Sequence, residues 1–308
     1  MLIDDVTWTS HPVPATAAVG NVGVRVGHIG SGSPVGLLVA SQHGDEGPWG
    51  GRAIRKVLET TPASDLRGTL RIVPMANPLA FQEGTREAHI DLEDLNFSFP
   101  GNSDGRHTER LAHVLATNAV DGSDYVIDIH GGGSWCLNAF VYRFEGSYDL
   151  ADWIGASFVR TGYERGDASL TCYARNRGAK VVWIEMGGAG AQEEQWAQRV
   201  ATGIRRALGK AGILAEADLP AAPAAIELGE SKSLRAPAPG LYLPVMREDD
   251  VATIVPAGTA VGHLLEPVTH DIVHIFAAPF ERTAVLLIRP TLAVVEGGEM
   301  IAALAKVD

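Results

Sequence analysis

Residues 35–40, VGLLVA, are an unbroken apolar run that stops abruptly at the polar, glycine-containing segment SQHGDEGPWG. A run so short and so uniformly apolar suits a strand covered on both faces, as in a parallel or mixed sheet. The pattern returns in TLRIVPMAN (69–77), YVIDIHGGG (125–133), LNAFVYRF (137–144) and KVVWIEMGG (180–188). Between and after these runs, GGRAIRKVLET (50–60), TERLAHVLATNAV (108–120) and AQEEQWAQRVATGIRRALGKAG (191–212) read as helices, with Ile54, Val57 and Leu58 on one face of the first. Strands alternating with helices predict a layered α/β domain over residues 1–215.

The pattern changes after residue 215. Residues 216–230 include the proline- and alanine-rich ADLPAAPAA and read as a linker or return segment. From 231 to 308 the chain becomes short β-like runs divided by Pro and Gly, which predicts a small all-β barrel or sandwich. VPAGTAVGHLL (255–265) and VVEGGEMIAAL (294–304) each place a Gly-centred turn before an apolar stretch, a weak internal repeat.

A chain of 308 residues, 46% apolar, can bury one sizeable core or a large and a small domain. Acidic residues outnumber basic ones, 37 to 25, without a Lys/Arg block, which argues against nucleic acid as a partner. The N-terminus lacks the basic and apolar pattern of a signal peptide, and no apolar run approaches the ~20 residues of a membrane helix, so no membrane partner is expected. Cys136 and Cys172 make no disulfide framework and read as small buried side chains. A cytoplasmic protein is the expectation.

Chemistry-bearing residues collect where strands end. His43 and Glu46 follow VGLLVA three residues apart, and His130 ends YVIDIH. Loops at the carboxyl edge of an α/β sheet gather ligand-binding residues, so the three can meet there. Two imidazoles and a carboxylate are an accepted zinc ligand set that leaves a position for water or substrate; the alternative is two separate hydrogen-bonded loop histidines. Asp128, two residues before His130, can orient His43 or His130 through the second ring nitrogen, or serve as a strand-end cap. Glu185, before a glycine pair, can act as general base or as a structural partner for an arginine. Arg86, in NPLAFQEGTRE, can stabilise an oxyanion or be an ordinary loop arginine.

The ordered set HGDE, NPLAFQEGTR, DLEDLNFSFPG, DIHGGG and IEMGG resembles the succinylglutamate desuccinylase/aspartoacylase family of the zinc carboxypeptidase clan, over roughly residues 20–210. The layout is most similar to the branch acting on N-acetyl-diaminobutyrate. The resemblance implies a zinc-carboxypeptidase-like α/β/α sandwich with a mixed central sheet, and one zinc per chain held by His43, Glu46 and His130. It further implies Glu185 as general base and Arg86 as polariser of the carbonyl. A zinc-dependent deacylase cleaving the amide bond of a small N-acyl amino acid or related amine follows. The rivals are a zinc exopeptidase or esterase on a larger substrate, and a silent metal-binding assembly protein.

Two departures qualify the resemblance. The tail is similar to a biotinyl or lipoyl carrier domain, yet contains no lysine between Ser233 and Ala305, so it is expected to shield the site or support contacts between copies, as a homodimer or higher homo-oligomer. In the substrate-binding motif, Asn96 is followed by Phe97 where the family carries arginine. Phe97 cannot supply charge-assisted hydrogen bonds to a carboxylate. Arg106, Arg143, Arg175 or Arg177 supplies that charge, or the substrate lacks the carboxylate.

Overall fold

The computed structural model describes residues 1–16, 20–162, 168–188 and 192–308. In the first two thirds of the chain the strands are β1 (Thr7–Thr16), β2 (Gly20–Gly30), β3 (Val35–Ala40), β4 (Thr69–Val73), β5 (Tyr125–His130), β6 (Leu137–Arg143), β7 (Phe158–Thr161) and β8 (Lys180–Gly188). The helices are α1 (Gly47–Thr60), α2 (Pro78–Glu83), α3 (His107–Leu115), α4 (Tyr148–Ile154), α5 (Leu170–Arg175) and α6 (Glu193–Lys210). The expected first residue of the last helix, Ala191, lies outside the described residues. The tail contributes β9 (Ile226–Glu227), β10 (Ser231–Arg235), β11 (Gly240–Pro244), β12 (Ile254–Pro256), β13 (Ala260–Leu265), β14 (Ile272–Ala277), β15 (Arg282–Ile288), β16 (Ala293–Val295) and β17 (Met300–Lys306).

The five apolar runs become β3, β4, β5, β6 and β8, and their burial on both sides explains their composition. Strands β4, β3, β5 and β8 lie side by side and parallel, while β2 joins β4 and β6 joins β8 antiparallel, so the sheet is mixed. On one face Leu38, Ala40, Ile127, Ile129, Val182 and Ile184 pack with α1 and α6; on the other Leu37, Val39, Val126, Val181 and Trp183 pack with α3 and α5. Each fully buried aliphatic side chain contributes about 1.5–3 kcal/mol of transfer free energy. The result is an α/β/α sandwich with a mixed central sheet, as expected.

Helix α3 ends at Leu115, and Ala116–Val120, expected to continue it, forms one π-helical turn instead. From that turn Asn118 donates its side-chain N–H back to the Val114 carbonyl of α3 at 2.8 Å.

The tail is not set apart from this sheet. β15 pairs with the start of β6, Leu287 opposite Asn138 and Ile288 opposite Leu137, while β7 takes the other half of β6 from Val141 onward. β17, β10 and β12 extend from β15, so among the described residues the main sheet has 13 strands, and β14, β13, β11 and β16 form a second, antiparallel sheet. Within the segment read as a linker, β9 pairs with β7. The repeated phrases adopt one conformation twice: a short strand, a turn with glycine at positive φ (Gly258 +82°, Gly298 +86°), then a longer strand.

Candidate metal centre

Because β3, β5 and β8 are parallel neighbours, the residues after their carboxyl ends meet at one rim. The chain leaves β3 and makes a 3-10 turn, Gly44–Glu46, that runs directly into α1 with Pro48 in its first turn. That turn brings His43 and Glu46 to one side. Gly44 is required there, since a Cβ would stand 1.9 Å from the Ala80 carbonyl oxygen of α2. Asn77 ties the same loop down: its side chain caps α2 by accepting from the Ala80 N–H at 3.3 Å and donates to the Gln42 carbonyl at 3.3 Å.

His43, Glu46 and His130 are all buried and offer ligand atoms within 4.8 Å of one another. Nδ1 of His43 lies 2.5 Å from Oε1 of Glu46, and Nδ1 of His130 lies 2.8 Å from Oε2. Each imidazole gives its other nitrogen to a second carboxylate: Nε2 of His43 is 2.9 Å from Asp94 and Nε2 of His130 is 3.2 Å from Asp128. A carboxylate on Nε2 fixes the proton there and leaves the Nδ1 lone pair for a cation. The donor set therefore fits a single zinc ion, with two nitrogen ligands, one oxygen ligand and an open side.

The charges agree with that geometry. Burial opposes ionisation of both histidines, yet Glu46 with Asp94 outweighs it at His43, and Asp128 with Glu46 outweighs it at His130, so both pKa values are raised. Burial likewise opposes the Glu46 carboxylate, but the two imidazoles hold it well below the usual range. A metal must compete with protons for these nitrogens.

Asp128 thus serves His130 of the two histidines. Gln42, which sequence reasoning missed, donates to Asp128 at 2.7 Å, and the same amide nitrogen lies 3.1 Å from Nε2 of His130. Asp94 was also missed, although it lies inside the DLEDLNF motif. It accepts from Nη2 of Arg86 at 2.9 Å and from the Asn96 backbone N–H at 3.0 Å, joining His43 to the loop that carries Arg86. Asp94→Asn keeps an oxygen to cap that turn but removes the charge behind His43. We expect zinc affinity to drop about 10–100-fold, measured by competition with a chelator, with excess zinc restoring occupancy.

Glu185 sits opposite His130 in the β5–β8 register. Its Oε2 accepts from Asn138 at 2.7 Å and its Oε1 from the Trp183 indole N–H at 3.0 Å. Burial, and next the negative charge of Glu46, push its carboxyl up to about 7. Arg86 stands at the mouth, 3.6 Å from Glu46 and paired to Asp94. The rings of His130, Trp183, Tyr142 and Phe97 form an aromatic wall, with Phe97 6.5 Å from Trp183 between centroids. Asn96 is fully buried; its Oδ1 accepts from the Leu170 N–H at 3.4 Å, while its Nδ2 has no hydrogen-bond partner among the described residues.

Of the four candidate cations, Arg143 is ion-paired with Glu227, Arg177 donates to Asp121 at 2.8 Å, and Arg175 lies over the Phe144 ring. Arg106 is the one that lines a surface pocket together with Phe97, and it pairs there with Glu93 at 2.9 Å. A separate cavity of about 580 Å³ opens beside Glu46, lined by Asp45, Trp49, Arg52, Ser134, Glu193 and Glu194 among others. No described helix is long and apolar enough to cross a membrane.

Comparison with known proteins agrees with this construction. A family model, the succinylglutamate desuccinylase/aspartoacylase catalytic domain, matches residues 34–210. The N-α-acetyl-L-2,4-diaminobutyric acid deacetylase of Halomonas elongata is 31% identical over 200 residues, covering 61% of this chain and 54% of that protein. The match thus spans about half the length of that curated relative. The product-bound ectoine utilization protein EutE of Ruegeria pomeroyi superposes with a TM-score of 0.85 at 23% identity, over 97% of this chain and 95% of that one. A succinylglutamate desuccinylase from Silicibacter gives 0.84 at 22% identity, over 98% and 95%. An aspartoacylase family protein from Mesorhizobium loti gives 0.81 at 24%, over 98% and 95%. These structures share the fold over nearly the whole chain, tail included.

Proposed function

Because the chain belongs to the succinylglutamate desuccinylase/aspartoacylase family, we propose that it is a zinc-dependent deacylase that hydrolyses the amide bond of a small N-acyl amino acid or related acylated amine. The observation that carries this reading is Glu185, a carboxylate gripped by two donors in register with His130, beside a His/Glu/His donor set. In this reading His43, Glu46 and His130 hold the ion, which when bound acidifies a water and polarises a carbonyl.

The remaining work falls to the chain's own groups. Glu185 takes a proton at its carboxylate from the attacking water and delivers it to the leaving nitrogen as the C–N bond breaks, giving a free carboxylic acid and an amine. Arg86 turns guanidinium N–H groups toward the oxyanion of the tetrahedral intermediate. Asp128 keeps His130 in the tautomer that presents Nδ1. Asn96 offers its Nδ2 to a polar group of the substrate, and Phe97, against Trp183, packs an apolar part of it. We further propose a cytoplasmic setting, consistent with two free cysteines, and assembly as a homo-oligomer.

The test is a release assay with the zinc-loaded chain over N-acyl amino acids, their amides and short peptides, starting with N-α-acetyl-L-2,4-diaminobutyrate. Release of the free amine from a small acylated amino acid is expected. Cleavage of peptides alone favours an exopeptidase, and no turnover at all contradicts the deacylase reading. The pH profile supplies an independent check. Glu185 works as its carboxylate, so the rate should decline as pH falls through its folded-state pKa. Burial and Glu46 place that at about 7, and a bound cation lowers it. The acid limb of kcat/KM, followed from about pH 5 to 9, is therefore expected below 7; a limb above 7 contradicts the assignment.

A further inference from the structure

We propose that Asn138 is a positioning residue that fixes the carboxylate of Glu185 in its working orientation. The inference rests on the deacylase reading above, in which Glu185 moves the proton. Asn138 is buried on β6, and its Nδ2 donates to Oε2 of Glu185 at 2.7 Å while the Trp183 indole holds Oε1 at 3.0 Å. The two donors come from different strands. A carboxylate gripped at both oxygens has one orientation, whereas a carboxylate gripped at one can swing.

Asn138 is itself held from three sides. On β8 it stands opposite Gly187, two residues along from the pair Phe140–Glu185 and so on the same face. Its amide oxygen lies 3.8 Å from the buried thiol of Cys136, which itself donates to the Gly132 carbonyl at 2.7 Å. On its outer side the backbone neighbour is Leu287 of β15. Two residues further along the tail, Arg289 lies over the Trp135 ring at 5.0 Å and is tied to Glu299 at 2.6 Å. The β-rich tail thus grips the chain at Trp135, Leu137 and Asn138, immediately after the loop that follows His130. That contact gives the tail a place in the chemistry that needs no carrier lysine. Holding a reacting group in place affects turnover far more than substrate binding.

The experiment is Asn138→Leu, which keeps much of the shape and removes the donor. With N-α-acetyl-L-2,4-diaminobutyrate as the probe, kcat is expected to fall about 10–100-fold, the usual effect of losing a hydrogen bond to a charged group. KM should stay within roughly 3-fold, since the residue is placed outside substrate contact. Zinc content should equal that of the unaltered chain, and a crystal structure of the variant should show Glu185 turned from its present pose with His43, Glu46 and His130 unmoved. Combined with Glu185→Gln, Asn138→Leu should cause no further loss, because both act through one side chain. If Asn138→Leu does not fold, Asn138→Ser, with a shorter hydroxyl donor, should give a smaller loss in the same direction. Unchanged kcat, a loss carried by KM or by zinc, or an additive double variant overturns the assignment. If the unaltered zinc-loaded chain cleaves none of the acylated substrates, the deacylase reading falls by itself. The Glu185 pose in the variant's crystal structure then decides: an unmoved carboxylate overturns the positioning role, a displaced one upholds it.

Discussion

Replacing His130 with alanine is expected to abolish zinc binding and hydrolysis together, and to lower the melting temperature markedly even without metal. The imidazole is fully buried between two carboxylates, Glu46 at 2.8 Å and Asp128 at 3.2 Å. Removing it deletes one ligand and leaves two buried carboxylates facing a gap. Breaking a buried charged pair by deleting one partner costs about 3–5 kcal/mol. Gln42 still donates to Asp128, so the penalty falls mainly on Glu46, which keeps His43 and, at 3.6 Å, Arg86. Metal analysis, an amine-release assay and a thermal melt read the three effects. A His130→Ala chain that retained one zinc would contradict the ligand assignment.

The second large effect is expected from Glu185→Gln: turnover falls about 10²–10⁴-fold, the usual share of a general base, with zinc content unchanged. Glutamine nearly matches the shape of Glu185 but cannot take a proton, and it is not part of the His43, Glu46 and His130 cluster. Its amide nitrogen also meets a donor, from either Asn138 or Trp183, so part of the loss reflects a disturbed orientation. The same variant carries a stability signature. The folded-state pKa of Glu185 is raised to about 7, so the native state binds this proton more tightly than the unfolded chain does. The wild-type fold loses stability as pH rises from the unfolded value through about 7, and the loss is complete above that. Metal-free Glu185→Gln should therefore melt higher than wild type at alkaline pH, with the difference vanishing at acid pH. Full turnover in the variant, or loss of its zinc, would remove Glu185 from the proposed role.

The parts of the fold legible in the sequence are those with local causes. VGLLVA, YVIDIH and KVVWIE announce strands buried on both faces, and their parallel pairing explains why His43, Glu46, His130 and Glu185 meet. The β1–β2 pairing was not legible, because Pro12 and Pro14 in WTSHPVPAT cannot donate to a strand ladder and argue against a strand. The pair lies at the end of the sheet, where proline is tolerated. The joining of tail to sheet was hidden for another reason. Leu287 meets Asn138 across half the chain, and no local pattern encodes that pairing.

The site shows the same division. Asp94 and Gln42 look like ordinary loop polars until folding brings one to His43 and the other to Asp128. Sequence reasoning drew Asn96 and Phe97 from the DLEDLNF motif and passed over the aspartate beside them. It also left four arginines equal as substitutes for the missing cation. Ion pairs and ring contacts engage Arg143, Arg175 and Arg177 elsewhere, which only the packed structure reveals.

One zinc ion held jointly by His43, Glu46 and His130 underlies every functional role assigned above. The most direct test is anomalous X-ray scattering on crystals of protein purified without chelators, collected on either side of the zinc absorption edge. One peak per chain is predicted, about 2.0–2.2 Å from Nδ1 of His43, Nδ1 of His130 and a carboxylate oxygen of Glu46. The absence of a peak there after soaking with zinc, or a peak bound by other residues alone, would contradict it.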